Sequence, residues 1–400
     1  MTLSSRRAAA ALVFLGISTF SFVTVEVLPI GLLTVIADDL GRSRSQVGLL
    51  VTGYATVVVL ASIPLARLTH RLPRRLVLGS TLGVLTVATA LSAAAPTYEL
   101  LFAARLAIAL AQALFWAIAP PIATSLFPPE LRGRVVARLA IGTALAPILG
   151  IPVGTWLGER AGWRVPFILM TLLGAAACAG IVALLPRTEV QDGPSRRGST
   201  PDLRRYVVLI VASAIGVTGF LTYNTYVTPF LLDITGFPSS ALGPILLASG
   251  AGGLVGTLIV GRVLDRYPWG TVVLPLVLIT VGLLALYGLG SVQVLAVALI
   301  AVIGLAFSGL AVAAQSRTLQ VAPGSTDIAS AGMSSAFNVG IAAGAFVGGA
   351  LIDITTVRSV ALVGGLLTAI AALVMLSEPL LVRRRQVVPE CRHELREEPV

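Results

Sequence analysis

Of 400 residues only 12% are charged while 56% are apolar, and the mean hydropathy is +0.95; a soluble globular chain carries about 25% charged residues. These values exclude a water-soluble enzyme or scaffold and call for a chain solvated by lipid. The formal net charge is +10 and all 28 basic residues are arginine. They gather at the ends of apolar runs and not on one folded face, so membrane topology accounts for them and nucleic acid does not.

Runs of the roughly 20 apolar residues that cross a bilayer lie near 8–36, 47–66, 76–95, 98–122, 135–158, 165–186, 206–232, 241–263, 271–290, 293–314, 328–352 and 359–382. They predict twelve transmembrane helices. The runs are continuously apolar, without the alternation of a barrel strand, which excludes a β-barrel. The first run is too long for a signal-peptide core and ends in IADDLGRSR without a small-residue cleavage site, predicting a retained helix. Cys178, in the sixth run, and Cys391, near the C-terminus, are too few and too differently placed for a disulfide framework.

Counting arginines by alternate loops orients the chain. With the N-terminus inside, 22 arginines lie on the cytoplasmic side and five outside (Arg42, Arg44, Arg160, Arg164 and Arg358), leaving Arg105 within a span. Both termini are therefore expected in the cytoplasm of a multi-pass protein of the plasma or inner membrane.

Residues 66–75, ARLTHRLPRR, and 261–270, GRVLDRYPWG, share a pattern at a spacing of 195 residues. The first falls between helices 2 and 3 and the second between helices 8 and 9, a displacement of six helices. A second correspondence agrees. Gly142, Ala146, Gly150, Gly154 and Gly158 in helix 5 match Ala336, Gly340, Gly344, Gly348 and Ile352 in helix 11 at a shift of 194. Small residues every four positions let two helices approach closely in lipid. They suit a sliding interface or plain packing between neighbours. The expected fold is an all-α membrane protein of two pseudo-symmetric six-helix bundles: an N-terminal bundle 1–186, a cytoplasmic linker 187–205 that tethers without needing to fold, a C-terminal bundle 206–382 and a cytoplasmic tail 383–400. Two similar halves around a midplane cavity suit alternating access.

Two ionisable residues lie well inside spans, Glu26 in helix 1 and Arg105 in helix 4. Each costs about 2.5–3.5 kcal/mol at a helix centre, so each needs protein or water around it. Glu26 is ten residues, about 15 Å, from the outer end of its helix, and Arg105 seven residues, about 10 Å, from the same side. That similar depth suggests a pairing, either a static ion pair or a working site. Arg105, Ala109, Gln112 and Trp116 share one face of helix 4, a candidate cavity wall. Glu26 shares its face with Thr19, Phe22 and Ile30, and Pro29 just beyond it can bend the helix and free a carbonyl. In helix 7, Phe220, Tyr223, Asn224 and Val227 share a face suited to an amphipathic ligand or to packing. Asn338 and Gln315 are weaker candidates of the same kind. No Ser/His/Asp grouping, metal-ligand spacing or phosphate-binding Gly-Lys-Ser/Thr loop occurs. The chain is not expected to be an enzyme, and neither a cofactor nor a metal is expected.

The twelve spans, the repeated 2–3 and 8–9 loops and Arg105 resemble the major facilitator superfamily, whose signature loop GRVLDR (261–266) is similar to. VEVLPIGLLTVIADDLGRS, PPELRGR, ILGIPVGTWLGERAGWR, YNTYVTPFL and SSAFNVGIAAGAFVGGALID resemble its proton-coupled drug and sugar efflux permeases. The resemblance implies that Glu26 takes part in proton coupling, that Arg105 supports it, and that Asp265 and Arg266 form a cytoplasmic latch, with His70 and Arg71 at the equivalent places of the first half. Gly150, Pro152 and Gly154 match the helix-5 motif associated with antiporters. The chain departs from the pattern at His70, where Asp is usual, at Ile108 and Ala109, where Gln-Gly is common, and at Ile151, which breaks a Gly-Pro pair. A monomer is implied. The expected function is a proton-driven exporter of a small amphipathic, drug-like or sugar-like molecule. Uptake by proton symport and a non-transporting membrane sensor are the alternatives.

Overall fold

The computed structural model describes residues 5–42, 44–185 and 198–382. Twelve helices in it are long and apolar enough to cross a membrane. They are α1 Ser5–Gly31, α2 Arg44–Thr69, α3 Arg74–Ala94, α4 Tyr98–Ser125, α5 Arg132–Ala161 and α6 Arg164–Leu184. The second six are α7 Leu203–Asn224, α8 Ser239–Val263, α9 Gly270–Leu289, α10 Gln293–Val321, α11 Thr326–Ile354 and α12 Ser359–Leu376. Each predicted run contains one of these helices. Residue 186, residues 187–197 of the expected linker and the expected tail 383–400, with Cys391, lie outside the described residues.

Caps and prolines set the local departures. Thr97 caps α4, its Oγ1 accepting from Leu100 N at 3.3 Å, and Asp202 caps α7 through Arg204 N and Arg205 N. The first run is not one helix: α1 ends at Gly31 and, after a turn at Leu32, the chain resumes as a short helix Leu33–Asp39. Within α5, Pro152 has no N–H for Ile148 and its ring crowds that carbonyl. A π turn over Ala146–Gly150 takes up the misfit. The run expected at 206–232 is likewise broken: α7 stops at Asn224, one turn follows at Val227–Pro229, and a π turn spans Phe230–Ile234.

Two apolar cores form, one from α1–α6 and one from α7–α12, with a symmetric exchange between them. Ala137 of α5 is buried in the second core and Ala331 of α11, 194 residues on, in the first. The stripes of small residues pack inside each half. A methyl group on Gly142 would strike the Gly16 carbonyl of α1, and one on Gly340 would lie 2.8 Å from the Ala214 carbonyl of α7. The stripes therefore fit α5 against α1 and α11 against α7. The linker does more than tether at its far end: Gly198, Thr200 and Asp202 donate to the carbonyls of Ala322, Gln320 and Val321 at 2.9–3.2 Å. Those bonds hold it to the end of α10.

Candidate functional site

Helices α1, α2 and α4 meet around a buried polar network. Pro29 has no N–H to give to Val25, four residues back, and so leaves that carbonyl without its helical partner. Arg105, fully buried on α4, replaces it: Nη1 donates to Val25 O at 2.8 Å and Nη2 to Glu26 O at 2.7 Å, while Nε reaches Leu50 O of α2 at 3.4 Å. Its guanidinium also lies over the Tyr54 ring, 4.9 Å from the centroid. The Glu26 carboxylate takes a different partner. Gln112 Nε2 donates to Glu26 Oε2 at 2.8 Å, and Gln112 Oε1 accepts from Tyr54 Oη at 2.7 Å. Tyr54 to Gln112 to Glu26 is thus a directed chain of donors ending on a carboxylate. The expected ion pair between Glu26 and Arg105 is not formed among the described residues, because the arginine is taken up by main-chain oxygens.

Beside the network, Phe22 and Phe115 pack with centroids 4.6 Å apart, and Phe115 meets half-buried Trp116 edge-on at 5.7 Å. Glu26, Arg105, Gln112, Phe22 and Trp116 are therefore brought together. Tyr54 and Phe115 join them without having been singled out from the sequence. Tyr54 carried a usable signal as the only aromatic of α2, ten residues or about 15 Å from the helix end, the depth of Glu26.

The second-half candidates do not join this network. Phe220 stacks on Phe307 with centroids 3.7 Å apart and Tyr223 meets Phe230 edge-on, its buried hydroxyl without a protein partner. Asn224 is exposed, and Asn338 donates to Ser334 O on its own helix. An apolar groove of about 490 Å³ between α1, α5 and α6 includes Gly150 and Gly154. Its rim, with Leu172 and Val153 at least half exposed, faces away from the bundle.

Two polar contacts join the halves at the arginine-rich end. Asp265, just past α8, accepts from Gly133 N at the start of α5 at 2.7 Å, and Arg74 at the start of α3 donates to Asp327 at the start of α11 at 3.0 and 3.2 Å. His70 is exposed and bonded to Arg67 O, Arg71 is exposed, and Arg266 stacks over Tyr267. Deeper in, Ile148 of the π turn in α5 faces Gly250 of α8, where a Cβ would lie 2.8 Å from it. Among the described residues no three of His, Cys, Asp and Glu converge to hold a metal ion.

Twelve spans in two similar halves with a polar network buried in one define a membrane transporter. The profile of the Major Facilitator Superfamily matches residues 13–326, and the chain belongs to that family. It is 32% identical to a probable sugar efflux transporter of Mannheimia succiniciproducens over 90% of this chain and 91% of the relative. It is 36% identical to a chloramphenicol efflux pump of Mycobacterium tuberculosis over 92% of this chain and 90% of the relative. The crystal structure of the human organic anion transporter TETRAN has the same fold, with a TM-score of 0.76 at 14% identity, covering 93% of this chain and 99% of that one.

Proposed function

We propose that the protein is a proton-driven exporter in the plasma or inner membrane, carrying a small amphipathic, drug-like or sugar-like molecule by alternating access between bundles 1–186 and 206–382. The observation that carries this is the state of Glu26, whose carboxylate is held by neutral Gln112 and not by Arg105. A carboxylate with a neutral partner can take up and release a proton without breaking an ion pair; a static salt bridge would forbid this. Intramembrane ionisable residues are functional by default. Arg105 is a positioning residue that holds the Val25 and Glu26 carbonyls of α1 beside Pro29. Phe22, Gln112 and Trp116 supply the aromatic and polar wall of the cavity. Phe220, Tyr223, Asn224 and Asn338 supply the facing wall from the second half, Asn224 after reorientation. Gly150, Pro152 and Gly154 fit α5 to α1 beside Glu26.

Efflux, and not uptake, is favoured because both curated relatives carry efflux names. The arginine-rich end lies in the cytoplasm, so the polar contacts made there by Asp265 and Arg74 close the cytoplasmic side and leave the protein facing outward. The monomer is the working unit. Overexpression of an exporter lowers cellular accumulation of a substrate such as chloramphenicol, whereas a symporter raises it; raised accumulation overturns the direction proposed.

A further inference from the structure

Two polar contacts between the halves fall at positions that the internal repeat relates, yet they are built the other way round. His70 and Asp265 correspond at the loop spacing of 195, and Gly133 and Asp327 at the helix spacing of 194. At the first contact the acid is on the loop and the helix offers a bare N–H: Asp265 Oδ1 accepts from Gly133 N at 2.7 Å. A Cβ at residue 133 would lie only 2.8 Å from that carboxylate oxygen, so any larger residue there would push the Asp265 side chain aside. At the second contact the acid is on the helix. Asp327, in the first turn of α11 and only 9% exposed at its side chain, accepts from Arg74, and His70 lies within electrostatic reach of it.

We infer that Arg74 and Asp327 form a second latch of inverted polarity, in which the acid has been moved across the interface from loop position 70, where His70 stands, onto α11. An acid at 70 would stand within electrostatic reach of Asp327 and compete with it for Arg74, and like charges so placed repel. His70 is thus the residue compatible with Asp327, as Asp265 is the residue compatible with Gly133. Each latch works only as a set. The first rests on a carboxylate at a helix N-terminus, where the backbone dipole favours it. The second rests on an ion pair between a nearly buried Asp327 and an arginine about one-third exposed. This holds whichever molecule is carried and whether or not Glu26 binds the coupling proton.

The test uses full-length protein in lipid nanodiscs, with Cys178 and Cys391 changed to serine and spin labels at Leu68→Cys and Val263→Cys, exposed positions at the ends of α2 and α8. Pulsed electron paramagnetic resonance reads the separation of the halves at the arginine-rich end. His70→Asp is expected to reduce the short-distance population at least twofold while His70→Asn reduces it less, and adding Asp327→Gly to His70→Asp restores it. An unchanged distribution in His70→Asp, or a further loss when Asp327→Gly is added, overturns the inverted latch. If His70→Asp yields no monodisperse protein, the same comparison is made on folded yield: recovery with Asp327→Gly supports the inference and no recovery refutes it.

Discussion

Arg105 donates to the carbonyls of Val25, Glu26 and Leu50, so its removal falls first on the backbone of α1 and α2. A buried acceptor left unpaired costs about 1–3 kcal/mol, and Arg105→Ala strands the carbonyl that Pro29 had already deprived of its helical donor. It is expected to lower the melting temperature in detergent by several degrees. Adding Glu26→Gln should not recover it, because the lost bonds are to main chain; full recovery would show that the carboxylate was the true partner. Arg105→Lys should recover little, since one ammonium cannot reproduce the spread of the guanidinium fork. At this scale the sequence exposes Glu26, Arg105 and Gln112, because polar groups in apolar helices carry a cost that demands an explanation. It conceals the partner of Arg105, because a main-chain oxygen is not written in the side-chain alphabet. Tyr54 escaped for a related reason: its ring belongs in an apolar helix, and only the direction of its hydroxyl makes it polar.

The helices carry their own consequences. Gly142 packs against the Gly16 carbonyl, and overpacking of a filled contact costs about 1–3 kcal/mol. Gly142→Val should therefore destabilise the first half and lower folded yield, whereas Gly83→Ala, with open space around it, should be near neutral in the same melting experiment. At the other end of α1, Asp39 of the short helix accepts from Trp163 Nε1 at 2.9 Å and Arg164 Nη1 at 2.7 Å. These donors hold its carboxyl below the ordinary aspartate value. A depressed carboxyl contributes stability that is present above its ordinary value and is lost as pH falls through the lowered one. Asp39→Asn should thus melt earlier than the parent at pH 6, by less than about 1 kcal/mol for so exposed a pair, and the difference should fade below about pH 4. A gap that widens in acid would contradict this. The number and approximate places of the helices are legible in the apolar runs. The π turn in α5 and the break after Asn224 are not: Pro147, Pro152 and Pro229 announce a disturbance, but whether a proline kinks a helix, widens it or stops it depends on neighbours that the sequence does not place.

Across the molecule the 194–195-residue repeat in the sequence is realised as two cores that exchange Ala137 and Ala331. Repeat symmetry is legible because both copies obey the same packing needs. The asymmetric parts are those that the proposed mechanism uses. The Glu26 network occupies the first half, and aromatic pairs occupy the corresponding region of the second. Asp265→Asn weakens the acceptor for Gly133 N and is expected to lengthen the distance between the halves at the arginine-rich end, read by the same spin labels; an unchanged distance would mean that this contact does not hold the halves together. The central claim is that Glu26 carries the coupling proton, and it is tested most directly in everted membrane vesicles with an imposed proton gradient. A pH-sensitive dye follows the lumen while sugars, phenicols and lipophilic cations are added. Substrate-dependent proton release by the parent protein that disappears in Glu26→Gln at equal membrane abundance is the predicted result, and release by Glu26→Gln at the parent rate would contradict it.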